Sequence, residues 1–199
     1  FRGGAYREPP NYHCAPMPIL NHNGRLYRAF EDCTPNFWPQ GVQAGVISAP
    51  VDADLLDASN WLMSNKLPFD PAWLPAEWGT VERPGWLEGN VVAAPDNTLW
   101  NILRFNSSPV CDKAAMVRVE EGGARISFDP ATGFIDFPGG MTKFNIRRDS
   151  KTNLYLSLVN NNTVPEWPRQ RNILSLAASE DLVTWRVVKT LMTDESGLL

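Results

Sequence analysis

Short apolar runs alternate with polar turns along this chain, and one plan recurs three times: a polar residue, an apolar strand, an Asn- or Asp-rich turn, a second apolar strand, a polar residue. The first unit begins at His13, runs apolar over residues 16–20, turns at Asn21-His22-Asn23-Gly24 and returns over residues 25–30 to Glu31 and Asp32. The second begins at Glu88, runs over residues 90–94, turns at Pro95-Asp96-Asn97-Thr98 and returns over residues 99–103 to Arg104. The third begins near Lys143, runs over residues 144–147, turns within residues 149–153 and returns over residues 154–159 to Asn160-Asn161-Asn162. Such patterns predict β-hairpins, and a hairpin brings its two outer ends together. Three hairpins side by side would gather acids, an arginine and amides on one rim.

Further strand-like runs follow each hairpin: residues 42–48 after the first, 114–119 and 125–128 after the second, 172–177 and 184–191 after the third. About four strands per unit predicts the blades of a β-propeller. Asp57…Trp61 and Asp181…Trp185 share an Asp, three residues and a Trp, about two periods of ~62 residues apart, with a middle copy eroded near Ser127-Phe128-Asp129. The fold expected is therefore all-β: a propeller, five- or six-bladed when complete, of which this chain holds about three four-stranded blades, at residues 13–66, 87–130 and 139–192. Residues 67–86 read as a Trp- and Pro-rich insertion. Helical periodicity is nearly absent; residues 52–59 predict one or two helical turns capped by Asp52. A β-sandwich is the competing all-β architecture, and it would not predict a repeated Asp…Trp ending.

Composition sharpens this picture. Of 199 residues, 43% are hydrophobic and only 20% charged, which describes a globular chain. The 17 Pro and 14 Gly suit strands and loops over long helices, and the net charge of −4 argues against nucleic acid or an anionic membrane as partner. No apolar run is long enough to span a membrane. The start at Phe1-Arg2-Gly3-Gly4, without Met, and the stop after residues 195–199 read as an excised piece, expected to be inactive alone because a propeller site draws on most blades. Cys14, Cys33 and Cys111 lack metal-ligand spacing; Cys14 and Cys33 flank the first hairpin, so they are either bridged or, the favoured alternative, free thiols. Asn106-Ser107-Ser108 and Asn161-Asn162-Thr163 match the glycosylation sequon. No metal or cofactor is expected.

Opposed carboxylates in a cleft push one pKa up, which is what a general acid requires, and leave the other free to act as nucleophile or base. Glu31, Asp32 and Glu88 are the acids at hairpin ends, and with Arg104 they are expected to face one cavity. His13 is a further acid/base candidate near neutral pH. Arg104 either binds an anionic sugar group or pairs with Glu88. Lys143 and Arg171 would add positive charge to the rim and favour an acidic sugar such as a uronate, and Asn90 and Asn160 add amides; Arg169 reads as a solvated loop charge. Of the eight Trp, Trp61, Trp100 and Trp185 are expected in the core. Trp38, Trp86 and Trp167 lie in Pro-rich stretches, where a flat aromatic face can seat a sugar ring, as Trp73 and Trp78 also could. Asp57 and Asp181 are expected to fix blade turns.

The segments Ala15-Pro16-Met17-Pro18-Ile19-Leu20 and Gly24-Arg25-Leu26-Tyr27-Arg28-Ala29-Phe30-Glu31 resemble the opening blade of the sialidase family. The stretch from Glu88-Gly89-Asn90-Val91-Val92 to Leu103-Arg104 is similar to the sialidase blade that carries a catalytic Glu and a substrate-binding Arg. Ser179-Glu180-Asp181-Leu182-Val183-Thr184-Trp185 resembles an Asp-box, and also the Ser-x-Asp-Leu…Trp strand ends of five-bladed furanosidase-type glycosidases. The resemblance implies a sialidase-like bacterial glycoside hydrolase of polysaccharide degradation, secreted or periplasmic, with an oligo- or polysaccharide as partner. Cys14-Ala15 stands where sialidases carry an Arg, and Tyr155 is mid-strand, which implies a specificity other than sialic acid. The rival expectation is a non-catalytic glycan-binding or scaffolding propeller. An incomplete ring would leave blade edges open to self-association.

Overall fold

The computed structural model describes residues 11–35 and 37–196, so the features noted at residues 1–4 and at the last three positions lie outside the described residues. The described residues are all-β, with helical residues only in short 3₁₀ turns at 58–60, 71–73, 76–78 and 121–123.

Three antiparallel sheets follow one another along the chain. The first contains β1 (Tyr12–His13), β2 (Leu20–His22), β3 (Arg25–Asp32), β4 (Gln43–Pro50), β5 (Leu62–Met63) and β6 (Leu67–Pro68). Here β1 and β2 both pair with β3, as two pieces of one interrupted first strand, and β5 and β6 likewise share β4. The second contains β7 (Gly85–Ala93), β8 (Leu99–Asn106), β9 (Lys113–Glu120), β10 (Arg125–Ser127) and β11 (Phe134–Asp136), with β10 and β11 both on β9. The third is a plain meander of β12 (Asn145–Arg148), β13 (Tyr155–Asn160), β14 (Ile173–Ser179) and β15 (Arg186–Thr193).

The hairpin turns use residues that tolerate left-handed backbone. Asn23 and Gly24 have φ of 47° and 73°, Asn97 66° and Asn153 59°. Asn and Gly pay least for that conformation, which is why they occur where the chain reverses. The strand expected over residues 16–20 does not form. Pro16 and Pro18 cannot donate to a ladder, and the Arg28 guanidinium instead donates to the carbonyls of Met17 (3.1 Å) and Ala15 (2.9 Å). The helical turns expected from an Asp52 cap reduce to one 3₁₀ turn at 58–60, capped by Asp57, whose carboxylate accepts from Ser59 N–H at 2.8 Å. Asp181 accepts from Val183 (2.9 Å) and Thr184 (2.7 Å) in the same manner.

Two apolar cores separate the sheets. Tyr27, Ala29, Ala44 and Val46 of the first sheet meet Val91, Leu103, Phe105 and Val117 of the second. Ile102, Ala114 and Met116 of the second meet Ile146, Tyr155, Val159 and Ala177 of the third. The stretch 67–86 feeds the first core: Phe69 lies 5.2 Å from Trp86 and 5.1 Å from Phe105, ring centre to ring centre, with Trp73 and Trp78 stacked outside. Trp100 and Trp185 pack on the second core, whereas Trp61 is half-exposed, its indole N–H bonded to the Leu55 carbonyl. The three cysteines are free.

Candidate functional site

The starts of the first strands and the ends of the second strands form one rim. In sheet one, His13 pairs in register with Glu31. In sheet two, a bulge between Trp86 and Gly89 turns Glu88 toward Arg104, whose Nη1 lies 3.1 Å from the Glu88 carboxylate. In sheet three, Lys143 stands just before β12, and Asn160, half-buried, closes β13. Bulges of this kind re-aim side chains beside functional sites.

These residues meet across sheet boundaries. His13 Nδ1 lies 2.8 Å from Glu31 Oε2, with Glu31 only 2% exposed and the His13 side chain 45% exposed. Glu31 also accepts from the backbone N–H of Gly89 in the next sheet. The second carboxylate oxygen of Glu88 lies 3.5 Å from Lys143 Nζ, so Glu88 sits between a buried arginine and a solvent-facing lysine. Burial pushes the Glu31 carboxyl above its usual range and the charge of Glu88 adds to this, outweighing the opposing pull of His13 and Gly89 N–H. The hydrogen bond to Glu31 holds the His13 imidazole above its usual range, with both carboxylates adding and burial and Lys143 opposing. The Cys33 thiol nearby is pushed up to about 11 by burial first and then by the charges of Glu31, Asp32 and Glu88, which leaves it a thiol at neutral pH.

Cations gather on the other flank. Trp38 has the guanidinium carbons of Arg83, Arg104 and Arg169 at 5.6, 6.0 and 5.7 Å from its ring centre. Burial lowers the Arg104 pKa, and the nearby charges of Arg171 and Arg169 add to that. The Arg104 side chain is fixed by Glu88 and by the Met141 carbonyl at 2.8 Å. The sequence had marked Arg169 as a solvated loop charge; instead it donates to the Asn106 side chain at 3.1 Å and reaches Trp38. Arg83 carried no signal in the sequence, because only the fold brings it to Trp38.

Several candidates fall elsewhere. Asp32, next to Glu31 on a strand, points to the opposite side: its carboxylate accepts from Thr34 N–H and pairs with Lys66, which also lies over the Tyr12 ring. Burial acts to raise its pKa, yet the bonds from Lys66 and Thr34 leave it lowered, as suits a structural anion. Asn90 is 1% exposed and has no amide to spare, since it donates to the Phe144 carbonyl (3.3 Å) and accepts from Ile146 N–H (3.1 Å), stitching β7 to β12. Trp86 is fully buried, its indole N–H bonded to the Leu67 carbonyl, so it offers no face to a sugar. Trp167 is exposed, in a loop that Gln170 holds by accepting from Thr163 and Val164 N–H. The Asn106 sequon cannot carry a glycan, because that amide is buried and donates to the carbonyls of Glu82 and Arg83. A cavity of about 330 Å³ lies at the far ends of the same first strands, lined by Leu20, His22, Val91, Ile146, Arg148 and Tyr155, and the charged rim does not line it. Among the described residues, no group of three or more His, Cys, Asp or Glu is placed to hold a metal ion.

Comparison with known proteins finds no protein-family model and no curated protein that matches this chain. Solved structures do match. An exo-β-1,3-galactanase from Phanerochaete chrysosporium superposes with a TM-score of 0.59 at 12% identity, over 96% of this chain and 42% of that one. A β-fructofuranosidase from Schwanniomyces occidentalis gives 0.56 at 14%, over 90% and 34%. An exo-inulinase from Aspergillus awamori gives 0.55 at 14%, over 94% and 41%. The chain thus spans between about a third and two fifths of these structures. They are five-bladed β-propeller glycoside hydrolases, and the sialidase subtype expected from the motifs finds no support among them. At this identity the likeness concerns the fold alone, and that fold is a β-propeller.

Proposed function

We propose that this chain carries the sugar-binding rim of a β-propeller glycoside hydrolase, five- or six-bladed when complete, acting on an acidic or substituted sugar of an oligo- or polysaccharide. One observation carries the reading: Glu31 and Glu88, from neighbouring sheets, stand at one rim beside an aromatic ring and a bank of cations. Glycoside cleavage requires a proton donor and a stabilising anion, and the pairing of Glu31 with His13 beside Glu88 places groups for both at one rim. Trp38 offers a face for a sugar ring, while Lys143 and the arginines select for negative charge on the substrate. The sialidase subdivision plays no part in this reading.

The test is product release by the full-length protein from a panel of uronides, sialosides, arabinosides, galactosides and fructosides, as 4-nitrophenyl glycosides and as oligosaccharides. Hydrolysis is expected, faster on the acidic sugars. Absence of release across the panel would sink the catalytic reading. A second reading, a propeller that binds glycans without cutting them, is favoured by one fact: Glu88 is already neutralised by Arg104 and Lys143. Saturable binding by calorimetry, without release, would establish that reading instead.

A further inference from the structure

Resting on the glycosidase reading, we infer that His13 is the group that exchanges a proton with substrate, and that Glu31 is its positioning residue, not itself the acid. The geometry separates their roles. Glu31 is sealed under the rim at 2% exposure, with one partner in His13 and another in the Gly89 N–H, so a glycosidic oxygen cannot reach it without displacing His13. His13 is 45% exposed, and its Nδ1 is taken by Glu31, which leaves Nε2 for a substrate oxygen. A buried carboxylate bonded to one ring nitrogen fixes the tautomer and orientation of the other. The charged groups facing His13 are Glu31 on β3, Glu88 on β7 and Lys143 before β12. The hydrogen bond to Glu31 and the two carboxylates favour the imidazolium while burial and Lys143 oppose it, and the balance holds the proton on His13 more tightly than on an ordinary imidazole, as suits an acid.

The step balances as follows. The imidazolium Nε2–H gives its proton to the glycosidic oxygen as the bond from that oxygen to the anomeric carbon breaks, with the electron pair leaving on oxygen. Glu88 faces the positive charge that develops on the sugar. Water supplies hydroxide to the anomeric carbon, and the remaining water proton returns to His13. One glycoside and one water become two free hydroxyl compounds.

Leaving-group dependence tests this. Removing a general acid costs ~10²–10⁴-fold when the leaving oxygen needs a proton, and far less when it leaves as 4-nitrophenolate. His13→Ala is expected to cut kcat on an oligosaccharide by about 10²-fold or more while sparing the matching 4-nitrophenyl glycoside. Glu31→Gln should act in the same direction and move the basic limb of the pH–rate profile downward. Equal losses on both substrates would overturn the assignment. If nothing in the panel is hydrolysed, the glycosidase reading fails, yet the pair can still be judged by proton NMR titration, because the chain has only two His. His13 should titrate above the ordinary histidine value of about 6.5 in the wild type, and Glu31→Gln should lower it. A His13 titration at or below that ordinary value in the wild type would refute the pair itself.

Discussion

Asn90 and Trp86 flank Glu88 on β7, and both were expected at the sugar. Each is instead committed to holding sheets together. The Asn90 amide makes two buried hydrogen bonds to the backbone at Phe144 and Ile146. Asn90→Ala leaves that donor and acceptor unpaired, so a loss of about 2–4 kcal/mol is expected in chemical unfolding, with KM unchanged for whatever folded protein remains. A raised KM at unchanged stability would return Asn90 to the binding surface. The parity of β7 was hidden because the strand starts at Gly85 and carries a bulge after Trp86, and a bulge reverses which side chains face in. Glu31, Glu88, Arg104 and Lys143 were legible because they terminate hairpins. The division between Glu31 and Asp32 was not: both sit at the same hairpin end, and only strand alternation assigns one to the rim and the other to Lys66.

The pH dependence of stability belongs to the same residues. His13 and Glu31 both hold protons more tightly folded than unfolded. Stability contributed by His13 is present in full below its unfolded value, about 6.5, and is lost as pH rises through the higher folded value. Glu31 works in the same direction from about 4.5 upward, because burial disfavours its charged form. The melting temperature should therefore fall as pH rises above about 6.5, and Glu31→Gln should flatten that fall. An unchanged slope in the variant would show that the pair does not govern the titration.

At the scale of elements, the bulge in β7 decides where Glu88 and the Gly89 N–H go. A Cβ at Gly89 would lie 2.1 Å from Asn101 Oδ1 and 2.8 Å from Leu103 Cδ2. Asn101 is itself fully buried in the central strand of that sheet and has little room to yield. Gly89→Ala is thus expected to cost about 1–3 kcal/mol through overpacking. It should also lower kcat, because any shift of β7 moves both the Glu88 carboxylate and the N–H that Glu31 accepts. Wild-type melting and turnover in this variant would mean that the bulge does not set the site. The hairpin turns were legible from Asn23-Gly24, Asn97 and Asn153, all of which adopt left-handed backbone. The broken first strand of sheet one was not, since apolar spacing alone does not show that Arg28 would capture the carbonyls of Ala15 and Met17.

Over the whole molecule, the net charge of −4 conceals a basic flank built from Arg83, Arg104, Arg169 and Arg171 with Lys143. Composition averages the sign away; the fold concentrates it at one rim, and that local field is what a substrate meets. Propeller architecture was legible from the repeated units, and the contribution of residues 67–86 to the first core was not, because Pro-rich stretches carry no periodicity. The most direct measurement compares kcat/KM on a uronate oligosaccharide and on its neutral parent sugar of equal length, for the wild type and for Lys143→Ala, whose side chain is exposed enough to remove without harm to folding. The account expects the wild type to prefer the acidic substrate, and Lys143→Ala to shrink that preference by about tenfold, the worth of one charge-assisted hydrogen bond. Equal rates on the two sugars, or a preference that Lys143→Ala leaves untouched, would contradict it.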